Sequence, residues 1–290
     1  MKINYQCLPC LVNQVVRVAE ITNAKDREVL FRRTFEYLSN IDFSKTNPEI
    51  IGESFRLLKE HIKNEDPYKD TRSYYNSRFI SMLGEFEKNI ESSDNPFQEA
   101  VKHAIIGNII DFGPMHEFTI EDVMKWFRDT EKLSLTVDHT EKLRDDIASA
   151  RSLLYLGDNC GEICLDKLLV KNIKKLNPDI HIYFGVRGEP VVNDSIEEDA
   201  YTVGMEEFAT IISNGDCSAG TVLSRTSEEF NSIYEAADVV IAKGQANYES
   251  LSGQEDKNIY FMLMTKCSVI AKDIGVPQKS LICMNSGRVE

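Results

Sequence analysis

The stretch that decides the fold lies at residues 151–164 and reads RSLLYLGDNCGEIC. The apolar run at residues 153–156 is short and uninterrupted, which is typical of a buried strand. Gly157 permits a sharp turn after that run, and residues 164–176 continue with the spacing of a helix. A strand followed by a turn and a helix is the unit from which parallel sheets are built.

Five more short apolar runs follow this stretch, at residues 180–186, 209–212, 239–242, 259–262 and 280–284. Helical segments separate the runs, and strands that alternate with helices need crossover connections. We therefore predict an α/β fold for residues 151–290, with three layers and a mainly parallel sheet.

Residues 1–150 have a different pattern, with apolar positions three and four apart and few glycines. Leu11, Val15 and Ala19 lie on one such helical stripe. Asn47 and Pro48 are typical of a helix start. We predict a helical domain over residues 1–150, with helices from residues 8 and 47 and at 24–41, 74–90, 96–110, 119–129 and 140–150.

Composition and charge exclude several classes of function. The chain has 290 residues, and 33 basic against 47 acidic residues give a net charge of −14. Such an acidic surface repels phosphate backbones, so we expect no nucleic-acid partner. No apolar run is long enough for a membrane helix, and no signal peptide is visible. We therefore expect a cytoplasmic protein whose seven cysteines are reduced.

Polar residues follow the first two predicted strands at the point where each ends. Asp158 and Asn159 follow the first strand, and Asn193 and Asp194 follow the second. Carboxylate and amide oxygens are hard ligands that suit Mg²⁺ or Mn²⁺. Helix capping is the more common role of such residues, so both interpretations stay open on this evidence.

Groups that would suit a phosphate follow the later strands. The loop at residues 213–221 begins with Ser213, and its hydroxyls and N–H groups are suited to an anion. Lys243 ends the fourth predicted strand, and Lys266 follows the fifth. Each signal is weak alone, but together these groups would offset the charge of a phosphoryl group bound beside a metal.

Two further motifs lie in the helical region. The segment at residues 107–114 places Asn108 and Asp111 inside an apolar run, so these side chains serve either as caps or as contacts to the hydroxyl groups of a ligand. Cys7 and Cys10 form a single Cys-x-x-Cys motif, which is a weak signal because a structural zinc needs four ligands.

Together these motifs resemble the metal-dependent damage-control phosphatase family. The resemblance is carried by Gly-Asp-Asn-x-Gly-Glu (157–162), Gly-Asn-x-x-Asp (107–111), Asn-Asp (193–194), Lys-Gly-x-x-Asn-Tyr-Glu (243–249) and Lys266. The Cys-x-x-Cys motif is similar to that of the mainly prokaryotic subfamily. The resemblance implies a helical N-terminal domain packed on a Rossmann-like three-layer α/β/α domain, at residues 151–290, that carries the metal site.

The resemblance also implies roles for single residues. A divalent ion, Mg²⁺ or Mn²⁺ with Co²⁺ or Ni²⁺ as alternatives, would be held by Asp158, Asn159 and Asp194. Lys266 would bind the substrate phosphate, and Asn108 and Asp111 would line the pocket. Eukaryotic members carry Arg-Thr-x-Lys where this chain has residues 263–266, LMTK, so the missing Arg leaves substrate choice open.

The predicted function is hydrolysis of small phosphorylated metabolites, such as sugar or cofactor phosphates, in metabolite damage control. Water activated by the metal is the favoured nucleophile, with Glu162 as base or orienting group. Direct attack by Asp158 is the alternative.

Two other functions stay open. A small-molecule methyltransferase is disfavoured by the absence of a Gly-rich first loop and by the paired lysines. A non-enzymatic module that binds a metal or ligand would use Cys7 and Cys10.

Overall fold

A computed structural model describes residues 1–108, 121, 124–125, 127, 130–254 and 256–286 of the chain. Its centre is a seven-stranded sheet with the strand order β1-β7-β6-β5-β2-β3-β4. Strands β2 to β6 run parallel to one another, whereas β7 is antiparallel to β6 and pairs in parallel with β1. The strands are β1 (Val137–Asp138), β2 (Ser152–Leu156), β3 (His181–Val186), β4 (Thr210–Ser213), β5 (Val239–Lys243), β6 (Ile259–Met264) and β7 (Leu281–Asn285).

Of the helices whose bounds the structure describes, six precede the sheet, and six more lie among or after its strands. The first six are α1 (Leu8–Ile21), α2 (Arg27–Ser39), α3 (Asn47–Ile62), α4 (Lys69–Ile80), α5 (Leu83–Ser92) and α6 (Pro96–Gly107). The others are α7 (Thr140–Ser149), α8 (Glu162–Leu176), α9 (Glu197–Thr202), α10 (Glu228–Ala236), α11 (Gly244–Leu251) and α12 (Ser268–Ile274). This numbering covers the described part of the chain.

The predicted α/β class with a mainly parallel sheet is confirmed. Each of the six predicted strands corresponds to one of β2 to β7. The helix expected at 74–90 is divided, because α4 ends at Ile80 and α5 begins at Leu83. The short strand β1 was not predicted. The expected helix at 119–129 and the end of the one at 96–110 lie largely outside the described residues.

One hydrophobic core joins the helical region to the sheet. Phe86 of α5 and Ile105 of α6 belong to the same buried cluster as Tyr155 of β2 and Leu165 of α8. The residues of β5 are all buried, because helices cover both faces of the sheet. The division at residue 150 stays a prediction, and this core extends across it.

The order of the strands locates a crevice. Strand β2 lies between β3 and β5. From β2 the chain adds β3 and β4 on one side, and it then returns to pair β5 on the other side of β2, so the strand order reverses at β2. Ligands in open α/β sheets bind at such a reversal point, beyond the carboxyl ends of the strands. The segments after β2, β3 and β5 meet at this edge.

No helix in the described ranges has the length and apolar character that crossing a membrane requires.

Candidate active site

The segments that follow β2 and β3 are joined through their backbones. Asn159 and Asp194 form an antiparallel bridge. The Ser195 N–H donates to the carbonyl of Asp158 at 2.8 Å, and the Cys160 N–H donates to that of Asn193 at 2.9 Å. The structure therefore brings together Asp158, Asn159 and Asp194, which the sequence placed at two separate strand ends.

Two residues of the helical region reach this edge of the sheet. Asn76 of α4 accepts the Gly161 N–H at 2.7 Å, immediately before α8 begins at Glu162. Asn108 follows α6 and is fully buried. The helical region therefore both fixes the turn after β2 and contributes a side chain to the site.

Two amides and two carboxylates form the centre of the site. Asn108 Nδ2 donates to Asp158 Oδ2 at 2.8 Å and to Glu162 Oε2 at 3.0 Å. Asn159 Nδ2 donates to the same two oxygens, at 2.8 and 3.1 Å. Because a carboxylate only accepts hydrogen bonds, these contacts assign the nitrogen end of each amide. Asn108 Oδ1 is buried and has no hydrogen-bond partner among the described residues.

Arg187 is a site residue that sequence reasoning missed. It follows β3, and its side chain is only 2% exposed. Its Nε donates to Asp194 Oδ2 at 2.7 Å, while Nη2 lies 3.5 Å from Asp158 Oδ1 and donates to the Ala219 carbonyl at 3.0 Å. One guanidinium therefore contacts two of the proposed metal-ligating side chains. Its place directly after a strand was the available signal.

Lys243 is placed differently from the expectation that it contacts substrate. Its side chain is 0% exposed, and Nζ lies 3.0 Å from Glu162 Oε1 and 2.6 Å from Asp166 Oδ1. Tyr155 on β2 also donates to Asp166 Oδ1, at 2.6 Å. The ammonium is therefore enclosed by protein groups. Asp166 was not foreseen, although it lies four residues after Glu162 on α8 and so on the same helix face.

The remaining predicted residues have different placements. Lys266 follows β6, and its N–H donates to Gln245 Oε1 at 2.5 Å. Its charge lowers the pKa of Asp158, so it lies within electrostatic range of the site. Ser213 lies at the end of β4, an edge strand of the sheet, and its hydroxyl accepts the Gly215 N–H. Asp111 lies outside the described residues.

Several backbone N–H groups of the loop at residues 213–221, the predicted anion site, already donate to acceptors in the protein. The Asp216 N–H donates to Asn214 Oδ1, and the Ser218 N–H donates to Asp216 Oδ2. The Ala219 N–H donates to the Pro48 carbonyl at 3.4 Å. These three N–H groups are therefore occupied by protein acceptors, whereas the Ser218 hydroxyl is buried and has no partner among the described residues.

Burial and charge explain the shifted acidities of the site. Burial and the neighbouring Glu162 charge raise the pKa of Asp158 to about 6, against the opposing effect of Arg187. Burial raises the pKa of Asp194 to about 8, where the charge of Asp158 adds to the rise and Arg187 opposes it. Both rises disfavour the ionised carboxylates, and a bound divalent cation would oppose them.

The site fits a divalent cation on this basis. Four buried carboxyl groups, those of Asp158, Glu162, Asp166 and Asp194, face two buried cations, Lys243 and Arg187. When all four carboxyl groups are ionised, their surplus of two negative charges over the two cations equals the charge of one divalent ion. Across the described residues, no three side chains of the His, Cys, Asp and Glu types are grouped to hold a metal. The predicted ligand set therefore depends on an amide oxygen beside two carboxylates, a donor set that Mg²⁺ or Mn²⁺ accepts.

Residues 3–282 match the damage-control phosphatase ARMT1-like domain. The chain belongs to this family. A damage-control phosphatase of Pyrococcus horikoshii is 32% identical over 293 residues, which cover 99% of both proteins. One from Archaeoglobus fulgidus is 31% identical over 282 residues, covering 95% of this chain and 96% of the relative. An uncharacterized protein of Methanocaldococcus jannaschii is 35% identical over 286 residues, covering 95% of this chain and 93% of the relative.

The fold is shared with a solved member. The crystal structure of a DUF89 family protein from Pyrococcus horikoshii aligns with a TM-score of 0.91 at 30% identity, over 99% of each chain. The predicted damage-control phosphatase family is thus confirmed. Membership favours the phosphatase prediction over the methyltransferase and the non-enzymatic binding module. The substrate, the metal and the roles of the individual site residues stay predictions.

Proposed function

We propose that this chain is a metal-dependent phosphatase that hydrolyses phosphomonoesters of small metabolites, such as sugar or cofactor phosphates. The observation that carries the proposal is the surplus of two buried carboxylates beyond the carboxyl ends of β2 and β3. Relatives named damage-control phosphatase support the reaction class. The acidic surface, with a net charge of −14, favours a small substrate over a polyanion.

Asp158, Asn159 and Asp194 would hold the metal in this proposal. When bound, a divalent ion supplies Lewis-acid polarisation of a phosphoryl oxygen and lowers the pKa of water. Mg²⁺ and Mn²⁺ suit this oxygen donor set, with Co²⁺ and Ni²⁺ as alternatives. Arg187 would keep the Asp194 carboxylate in place through its 2.7 Å contact.

Lys266 and Asn108 would bind the substrate. Lys266 lies after β6, and its charge lowers the pKa of Asp158, which supports a role beside the proposed metal ligands. It would offset charge on the phosphoryl oxygens as a water oxygen adds to phosphorus and the ester oxygen leaves as an alcohol. Asn108 Oδ1, an acceptor without a described partner, would receive a substrate hydroxyl or a bound water.

The contacts of Glu162 favour an orienting role over that of a base. Its Oε1 accepts from Lys243, and its Oε2 accepts from both Asn108 and Asn159. Three of the roughly four lone-pair positions of this carboxylate are therefore occupied. Asp158 Oδ2 likewise accepts from two amides, which favours water over Asp158 as the nucleophile.

Hydrolysis of an aryl phosphate tests the proposal. The protein, stripped of metal with a chelator, is assayed with Mg²⁺, Mn²⁺, Co²⁺ and Ni²⁺ in turn, and then with a panel of sugar and cofactor phosphates. We expect turnover only with added metal, and a loss of about 100-fold or more in Asp158→Asn. Asp145→Asn, which changes an exposed carboxylate of α7, is the matched control.

Two results would contradict the proposal. One is full turnover in excess chelator. The other is a folded protein that hydrolyses none of the phosphates with any metal, after which metal analysis of Cys7 and Cys10 would test the binding-module alternative.

A further inference from the structure

Lys243 is the best-enclosed cation of the site. It ends β5, and α8 presents Glu162 and Asp166 to it from successive helical turns, at 3.0 and 2.6 Å from Nζ. All three side chains are 0% exposed. Tyr155, on the neighbouring strand β2, donates a hydrogen bond to the same Asp166 oxygen that Lys243 contacts.

This enclosure separates Lys243 from a direct substrate contact. To reach a phosphate, its ammonium would have to leave two buried carboxylates without their cation, which is strongly unfavourable in a protein interior. Burial lowers the pKa of Lys243, but the Asp166 and Glu162 carboxylates outweigh that effect and raise it. Lys243 is therefore a permanent charge within the fold.

The hydrogen bonds continue from Lys243 to the reacting groups through Glu162. The oxygen of Glu162 that does not contact Lys243 accepts from the amide nitrogens of both Asn108 and Asn159. With the nitrogen ends fixed there, the oxygen ends face away from Glu162. Asn108 Oδ1 has no described partner, and Asn159 Oδ1 accepts from Asn193 at 2.9 Å.

We infer that Lys243 is a positioning residue: held by Asp166 and Tyr155, it fixes the Glu162 carboxylate, which in turn orients the amides of Asn108 and Asn159 toward metal and substrate. The inference rests on the proposed function. It replaces the expectation that Lys243 binds the substrate phosphate. Groups that orient ligands from outside the ligand set typically change metal affinity or activity by about 10- to 100-fold when removed.

The test compares two variants with the wild-type protein. Lys243→Met removes the ammonium and keeps an unbranched side chain that is one heavy atom shorter. The double variant Lys243→Met/Asp166→Asn removes one charge of each sign, so the net charge of the buried group is unchanged. Lys59→Met is the control for replacing a buried lysine, because Lys59 is buried elsewhere, beside Glu189. Each protein is assayed for its melting temperature, its Mn²⁺ affinity by calorimetry, and kcat and KM.

We expect Lys243→Met to lose about 10- to 100-fold in Mn²⁺ affinity and in kcat. The double variant should regain melting temperature without regaining either function, because the contact with Glu162 is still missing. Lys59→Met should keep Mn²⁺ affinity and kcat.

Three results would overturn the inference. The first is a folded Lys243→Met protein whose Mn²⁺ affinity and kcat lie within twofold of wild type. The second is recovery of both functions together with stability in the double variant, which would make the role of Lys243 purely structural. The third is a rise in KM alone, which would return Lys243 to substrate binding. A wild-type protein that binds Mn²⁺ but releases no phosphate would refute the proposed function instead. The Mn²⁺ affinities of the variants would then still test the role of Lys243.

Discussion

Replacing Gly244 with Ala should displace the central carboxylate of the site. Gly244 begins α11 directly after β5, with φ at +79°. A Cβ built there lies 1.9 Å from Asp158 Oδ2 and 2.5 Å from Asp158 Cγ. Since Cβ contacts closer than 3.0 Å essentially do not occur, the carboxylate has to move by at least 3.0 − 1.9, or about 1.1 Å.

The size of the effect follows from that displacement. Asp158 Oδ2 accepts two amide hydrogen bonds at 2.8 Å, and a shift of this size breaks both. A misplacement of about 1 Å costs on the order of 100-fold in rate, or about 2.7 kcal/mol of transition-state stabilisation. The positive φ adds a separate cost to folding of about 1–3 kcal/mol.

Gly275→Ala separates these two effects. Gly275 has φ at +83° but no heavy atom within 4 Å of the added carbon. It therefore has a similar backbone cost without the contact to Asp158. The assay is kcat/KM for an aryl phosphate with Mn²⁺, beside melting temperatures from circular dichroism. A Gly244→Ala protein whose kcat/KM stays within twofold of that of Gly275→Ala would refute this prediction.

Two other predictions concern the charges of the site. At pH 9, above the pKa of Asp194, Arg187→Gln leaves that buried carboxylate without its cation, so the metal-free protein should lose about 3–5 kcal/mol of unfolding free energy in urea titrations at this pH; a loss below about 1 kcal/mol would contradict this. Because the pKa of Asp194 is raised to about 8, the folded metal-free protein keeps a proton that the unfolded chain releases near pH 4. The contribution of Asp194 to the free energy of unfolding should therefore fall as pH rises from about 4 to 8, while Mn²⁺ affinity rises by up to about tenfold per pH unit. Calorimetry at pH 6.5 and 8 measures the Mn²⁺ affinity, and an affinity that does not change with pH would contradict the prediction. The pH dependence of stability is compared with that of Asp194→Asn.

Most of the sheet could be predicted because of how it is covered. Strands β2, β5 and β6 are buried on both faces, so they are continuous apolar runs that stand out between helices. Strand β1 has only Val137 and Asp138, too few residues for a periodic pattern. The division between α4 and α5 also escapes prediction, since Ser81 and Met82 include neither Gly nor Pro.

The approach of Asp158 and Asp194 was predictable because neighbouring parallel strands end at one edge of the sheet. The ion-pair partner of each charged side chain was not predictable in this way. The sequence shows Lys243 at a strand end, but its burial depends on contacts with Glu162 and Asp166 of α8, which are a tertiary arrangement. The spacing of Glu162 and Asp166, four residues apart on one helix, was the local signal for that pair. Arg187 had no comparable spacing, and its role depends on the return of the chain at Asp194.

A titration of the metal-free protein with Mn²⁺ tests the central claim most directly, with bound metal followed by electron paramagnetic resonance and phosphate release measured in the same samples. We predict that turnover rises in proportion to the occupancy of one site per chain. We also predict that Asp158→Asn abolishes both Mn²⁺ binding and turnover, whereas Asp145→Asn changes neither. Turnover before any metal is bound, or full Mn²⁺ binding by Asp158→Asn, would contradict these predictions.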